Sequence, residues 1–418
     1  MAGTGDSNLL NASARQSFSL RNPIDSASGT FAQASRYGAA VFRTDEFDAP
    51  NTARLRNNFT EFPDFQGGLI VVGEQAALKI GGFIKADFIS DLDAIDSTDS
   101  FDTSTIPVGV PDRQNARFHA RQSRLSFDAR WKLRDQVARA FVEADFFGDG
   151  ADGSSAFRLR HAYGTLGRLT AGQTWTTFTD PSAVPQTLDF EGAVSSVNRR
   201  QGLIRLSVPL WMDGVSWAVA LEDPRIVVEV PTGLDGEARM ESPDFITHLR
   251  FEKDWGEFQS AFLVRELGFQ RAGAAVESET AWGVNLSGSL LIGERVHLYS
   301  QVTFGNGIGS YRGSPDIVAT GPTSASTLGV FGWMVSAKYA WTERLTSNVT
   351  YSRLKLENVA GQAANNLLST DYLAVNLIHN PYERVFYGIE YLYGVRENVS
   401  RMDSSANRIQ LSVGFYLP

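Results

Sequence analysis

The chain has no cysteine, only five histidines, and no apolar run approaching the roughly 18 residues of a membrane-crossing helix. The missing cysteine excludes a disulfide framework and suits passage through an oxidising periplasm. The short apolar runs exclude helical membrane spans but leave a membrane barrel open, because each barrel strand carries only a weak alternating signal. His119, His161, His248, His297 and His379 are too scattered to suggest a ligand cluster. There is no CxxC, HExxH, P-loop or GxSxG motif. No catalytic residue, metal site or cofactor is therefore expected, and the chain does not read as an enzyme. A formal net charge of -9 argues against nucleic acid as a partner.

What is present is a rhythm. From Lys79 onward, sixteen stretches of period-two patterning are joined by links that alternate long and short. The short links are Trp131–Asp135, Gly167–Arg168, Trp211–Gly214, Lys253–Gly256, Ile292–Arg295, Thr342–Arg344 and Asn380–Glu383. The long ones span 91–113, 147–155, 176–198, 223–241, 270–279, 305–328, 357–370 and 396–406, and are rich in Gly, Ser, Asp and Pro. A closed antiparallel meander with one plain rim and one elaborated rim produces this spacing.

Alternation alone does not separate a soluble sandwich from a membrane barrel. In the last stretch Ile409, Leu411, Val413 and Phe415 alternate with Arg408, Gln410, Ser412 and Gly414. A sandwich buries the apolar face, whereas a membrane barrel turns it outward to lipid. Trp131, Trp211, Trp255 and Trp341 lie in or beside short turns, where an interfacial aromatic belt sits. Unbroken hairpins with strict loop asymmetry are also foreign to Greek-key sandwiches. The expected fold is all-β: a 16-stranded antiparallel transmembrane β-barrel with short periplasmic turns, long extracellular loops and an inward-folded third loop. That places it in the bacterial outer membrane.

The chain divides near Gly67–Gly68. Residues 68–418 form the barrel; residues 1–67 read as a periplasmic or disordered extension, too poor in apolar periodicity to bury a core. The N-terminus lacks a basic start with an apolar core, so the chain reads as a mature or trimmed form of an exported protein.

Closure at sixteen strands leaves a lumen wider than side chains fill, hence an aqueous channel. Inward parity places Lys79, Lys85, Arg124, Arg130, Arg139, Arg158, Arg160, Arg199 and Arg205 toward water, mostly from the second to sixth strands. Asp87, Asp128, Glu143 and Asp145 share that wall, so many of these charges pair, with bases in excess. Rings of Arg and Lys mark an anion path. The third long loop, carrying Asp180, Asp189 and Glu191, is the candidate constriction. Arg117 and Arg121 fall on the opposite parity, toward a neighbouring subunit or turned in by a bulge. The acids of the first long loop, Asp91, Asp93, Asp96, Asp99 and Asp102, read as a solvated or lipopolysaccharide-bridging patch.

The run Ala120-Arg121-Gln122-Ser123-Arg124-Leu125-Ser126-Phe127 resembles a segment of the DcaP-like outer-membrane porins. So do Phe157-Arg158-Leu159-Arg160-His161-Ala162-Tyr163-Gly164 and Gly172-Gln173-Thr174-Trp175-Thr176-Thr177-Phe178. Leu78-Lys79-Ile80-Gly81-Gly82-Phe83-Ile84-Lys85, Thr187-Leu188-Asp189-Phe190 and Glu390-Tyr391-Leu392-Tyr393-Gly394 are similar as well. The resemblance implies a homotrimeric diffusion channel that takes up dicarboxylates and similar small anions, with outer-membrane lipid and lipopolysaccharide as further partners. It implies basic constriction residues at Arg124, Arg158, Arg160, Arg199 and Arg205. Reading the residues alone leaves two other functions standing: an outer-membrane hydrolase, and a structural or adhesive barrel with a blocked lumen.

Overall fold

The computed structural model describes residues 69–72, 76–134, 136–150, 154–271, 273–321 and 324–417; the extension expected at 1–67 lies outside them. Sixteen strands form the wall. They are β1 (Ala76–Asp91), β2 (Asn115–His119, continued by Arg124–Leu133), β3 (Gln136–Asp149), β4 (Ser155–Leu166), β5 (Leu169–Trp175) and β6 (Arg200–Pro209). Next come β7 (Val215–Glu222), β8 (Asp244–Lys253), β9 (Gly256–Gln270), β10 (Glu277–Ile292) and β11 (Val296–Asn306). The circuit ends with β12 (Gly329–Ala340), β13 (Leu345–Glu357), β14 (Leu367–Tyr382), β15 (Val385–Asn398) and β16 (Asp403–Tyr416). Each pairs antiparallel with its neighbours, and β16 closes on β1 from Asp91↔Arg408 to Phe83↔Tyr416. Closure satisfies every ladder hydrogen bond that hydrocarbon could not. Where β16 runs out, the short strand Leu69–Val72 takes its place against Ala77–Ile80 of β1.

The faces settle which medium lies outside. On β16, Ile409, Leu411, Val413 and Phe415 are 37–51% exposed, while Arg408, Gln410 and Ser412 are at most 2% exposed. A soluble protein would show the reverse, and an exposed apolar belt carried round the barrel is stable only in lipid. Trp211, Trp255 and Trp341 stand exposed at the short turns. Tight turns explain that plain rim; the two-residue link Gly167–Arg168 places Gly167 at φ 59°, a region glycine enters without strain.

Two departures from simple parity shape the lumen. β2 breaks at Ala120–Ser123, so the Lys85 backbone N–H donates to Ser123 Oγ (3.0 Å) instead of to a ladder partner. Gly82, at φ 142°, passes the resumption of β2 so closely that a Cβ would lie 2.2 Å from the Arg124 carbonyl. On β4 a bulge falls between the pairs Glu143↔His161 and Ala144↔Leu159, so both Arg160 and His161 turn inward and are 1% exposed.

The inner surface of β8 to β16 is less polar than parity predicts. Ile246, Leu263, Leu354 and Leu392 point inward and pack with Phe101 and Ile106 of the first long loop, Phe178 and Val194 of the third, and Tyr311 of the sixth. Three loops thus fold in and cover an apolar patch that would otherwise face water. The lumen is narrowed from one side, leaving the wall of β1 to β6 opposite.

Candidate functional site: the lumen constriction

Loop 3, residues 176–199, links the short β5 to β6 and lies along the inner wall from β7 round to β1. Successive anchors tie it there. Glu222 accepts from the Thr177 backbone N–H (2.7 Å), and Gln259 and Asn285 donate to the Thr179 and Phe178 carbonyls (3.1 and 2.8 Å). Ser352 accepts from Val194 N–H (2.9 Å), and Asn376 donates to the Gln186 carbonyl (3.0 Å). At the tip, Glu390 accepts from the backbone N–H groups of Leu188 (2.6 Å) and Asp189 (3.0 Å). The Leu188 carbonyl accepts from Lys85 Nζ (2.5 Å) and Gln410 Nε2 (2.9 Å). Burying so many backbone polar groups demands these partners, because no bulk water reaches them.

The three loop acids act within this scaffold. Asp180 accepts from Arg250 Nη1 (2.9 Å), Ser287 Oγ (2.8 Å) and Ser182 Oγ (2.8 Å). Burial raises its pKa, but the Arg250 charge and the serine bonds outweigh burial and hold it below the ordinary carboxylate range. Asp189 accepts from the Phe101 backbone N–H (2.8 Å) and Gly192 N–H (3.0 Å), docking loop 1 on loop 3. Burial pushes its pKa up against the opposing charge of Arg408. Glu191 pairs with Arg312 of loop 6 (3.3 Å), and burial raises its pKa too. Asp180 and Asp189 are buried and engaged in holding the loop in place.

Facing the loop stands the basic wall. Asp128 accepts from Arg130 (3.1 Å) and Arg139 (3.0 Å), and Lys79 lies opposite it in the ladder. Asp145 accepts from Arg158 and Arg160, each at 2.7 Å. Glu143 accepts from Arg160 (2.7 Å) and faces Arg124 at 3.6 Å. Lys85 pairs with Asp87 (2.8 Å). Three carboxylates thus serve five guanidinium groups. A sixth, Arg200 at the start of β6, lies on the Trp175 ring at 4.2 Å, near enough to Arg160, Arg124 and Arg158 for their charges to act on it. Among the described residues the Arg200 guanidinium has no hydrogen bond or ion pair. Parity reasoning missed it because it precedes the regular alternation of its strand.

Arg199 and Arg205 sit apart from the cluster. Arg199 donates to Ser310 Oγ (2.8 Å) and the Arg225 carbonyl (3.0 Å), stacking on Tyr311 in the anchorage of loop 6. Arg205 is half-buried on β6, with Nη1 3.5 Å from the Trp175 carbonyl. Arg117 and Arg121 both pair with Asp99 of loop 1. The acids of loop 1 are engaged likewise: Asp91 with Arg408, Asp93 with the Asn407 amide, and Asp96 with Arg113.

Phe190 extends from the loop tip to this wall. It stacks on Phe147 of β3 (centroids 3.9 Å), and the Arg158 guanidinium lies 5.2 Å from both rings. The passage is therefore bounded by a polar-anchored loop on one side and a ladder of arginines on the other.

Residues 65–231 match the family model described as DcaP outer membrane protein. The outer-membrane channel DcaP of Acinetobacter baumannii superposes with a TM-score of 0.76 at 21% identity, over 84% of this chain and all of that one. The OmpF porin of Salmonella typhi, solved with daunomycin, gives 0.56 at 11% identity, over 84% and 100%. OmpT of Vibrio cholerae gives 0.52 at 11%, over 83% and 99%. No curated protein sequence matches. The match over residues 65–231 agrees with the resemblance to DcaP-like porins read from the sequence, and the chain has the sixteen-stranded barrel fold of the outer-membrane porins.

Proposed function

We propose that this outer-membrane channel passes small hydrophilic solutes with a preference for anions, dicarboxylates among them. The observation that carries the reading is the charge imbalance on the wall that faces loop 3: six arginines against three wall carboxylates, with Arg200 outside every ion pair. Buried carboxylates cancel part of the field and fix the geometry of the guanidinium forks. The surplus raises the local concentration of carboxylate-bearing solutes in a passage where water screens poorly.

Two anionic ends suit such a wall better than one, because successive arginines along it can exchange their hold on each end. The assembly we propose is a homotrimer with its apolar belt in contact with lipid and lipopolysaccharide; OmpT of Vibrio cholerae has a trimer form. Native gels of the sample before and after boiling test the trimer.

Reversal potentials across planar bilayers in a salt gradient test the selectivity. Wild-type channels should favour chloride over potassium, and Arg200→Gln should lower that preference without disturbing an ion pair. A cation-preferring wild type, or an unchanged Arg200→Gln channel, would refute the reading. Absence of conductance would favour a barrel blocked by its inward-folded loops.

A further inference from the structure

Half-way round the circuit, eight strands from β4, a second cation stands inside the lumen. Lys338 of β12 alternates with the lipid-facing Val335, Ala337 and Tyr339 and is itself 7% exposed, so its side chain points inward. It lies two residues from the short turn after Ala340, toward the periplasmic mouth. Its ladder partners are His297 of β11 and Asn348 of β13. His297 Nδ1 is engaged with Tyr299 Oη (2.9 Å), and Asn348 Nδ2 donates to Asn376 Oδ1 (3.0 Å).

No carboxylate answers this ammonium. Among the described residues the Lys338 ammonium makes no hydrogen bond or ion pair, and no other charge acts on it. The neighbouring Thr346 Oγ1 and Asn348 Oδ1 are also buried without protein partners. The inward cations of the wall from β1 to β6, Arg200 excepted, are matched by an acid or a carbonyl. A buried charge without a partner is costly to keep, and one that only braced the wall would be expected beside an acid.

We infer that Lys338, with Thr346 and Asn348, forms a second anion-binding station on the periplasmic side of loop 3, opposite the arginine wall, taking one carboxylate group of a small solute. The ammonium supplies the charge, the Thr346 hydroxyl a donor, and Asn348 Oδ1 an acceptor for the water that accompanies the anion. A carboxylate leaving the constriction toward the periplasm would meet this site next. The inference rests on an open lumen but not on the sign of the wild-type selectivity.

Its test uses the full chain in planar bilayers under a potassium acetate gradient. Lys338→Met should lower the acetate-to-potassium permeability ratio by roughly twofold, and Lys338→Arg should keep it near wild type. Because Met removes an unpartnered buried charge, the Lys338→Met barrel should melt no lower than wild type; should it fail to insert, Lys338→Gln reads the same loss of charge. A ratio in the neutral variant equal to wild type overturns the inference, as does a Lys338→Arg channel as impaired as Lys338→Met. The wild-type potential alone judges the arginine wall, and the difference between wild type and Lys338→Met alone judges this station.

Discussion

The ring of Phe190 stacks on that of Phe147 with centroids 3.9 Å apart, joining the tip of loop 3 to the wall it faces. Lys85 Nζ, donating to the Leu188 carbonyl, ties the loop to the same wall. The Arg158 guanidinium covers both rings.

Phe190→Ala should therefore widen the channel. An aromatic pair of this kind contributes ~1 kcal/mol beyond its buried area, too little to unfold a barrel. Single-channel conductance should rise while anion preference falls modestly, since Arg158 loses its support but not its charge. Conductance equal to wild type would place the narrowest point elsewhere.

Glu390 should act as the latch of the loop tip. Its carboxylate is fully buried and accepts from Leu188 and Asp189 backbone N–H groups. Glu390→Ala orphans both donors at a cost of about 1–3 kcal/mol each. Faster current flicker and a lower melting temperature are expected, with Glu390→Gln retaining part of the hold. A quiet, unshifted Glu390→Ala channel would show that the other anchors suffice.

Acid should sharpen the anion preference. Burial raises the pKa values of Asp189 and Glu191 in the folded barrel, so both hold protons at a pH where the unfolded chain has released them. Their contribution to stability is complete below the ordinary carboxylate range of about 4, and is lost as pH rises through the raised values. Lowering the pH through that window removes negative charge from the loop that faces the arginines. Reversal potentials should shift toward anions, and Asp189→Asn should show part of that shift already at neutral pH. A shift of the opposite sign would count against this origin.

Loop 6 should depend on one arginine. Arg265 is wholly buried and donates to Asp244 (3.0 Å) on the wall and Asp316 (3.2 Å) in the loop. Tyr311 donates to the same Asp244 (2.7 Å), and burial holds its phenol well above the usual value, fully protonated for that role. Arg265→Ala strands two buried carboxylates and should cost about 3–5 kcal/mol, read as a lower melting temperature and protease cleavage within residues 307–328. Resistance equal to wild type would show that the loop is held by its apolar contacts alone.

The barrel was legible in the sequence because its signals are local. A period of two, read over ten residues, declares a strand with two unlike faces; the lengths of successive links declare which rim is plain. Trp211, Trp255 and Trp341 at short turns, exposed as an interfacial belt requires, told lipid from water. The inward parity of Arg124, Arg130, Arg139 and Arg158 followed from the same arithmetic. The inward course of Arg160 followed too; the arithmetic failed where the chain breaks its own count, at the bulge that turns His161 to the same side as Arg160, and at Arg200, which precedes its strand's alternation.

What tertiary structure decided is where the loops go and which charges remain unanswered. Leu188 meets Glu390 across 202 positions of sequence, and Asp180 meets Arg250 across 70. Loop 3 was expected to fold inward from its length and its prolines and acids, but nothing local in it names the residues that would hold it there. Its course is set by acceptors and donors spaced round the far wall, and by the apolar patch that loops 1, 3 and 6 cover together. Alternation along a strand is fixed by the geometry of successive peptides, so sequence alone determined the cylinder. The balance of charge inside it depends on distances between residues that only closure brings together.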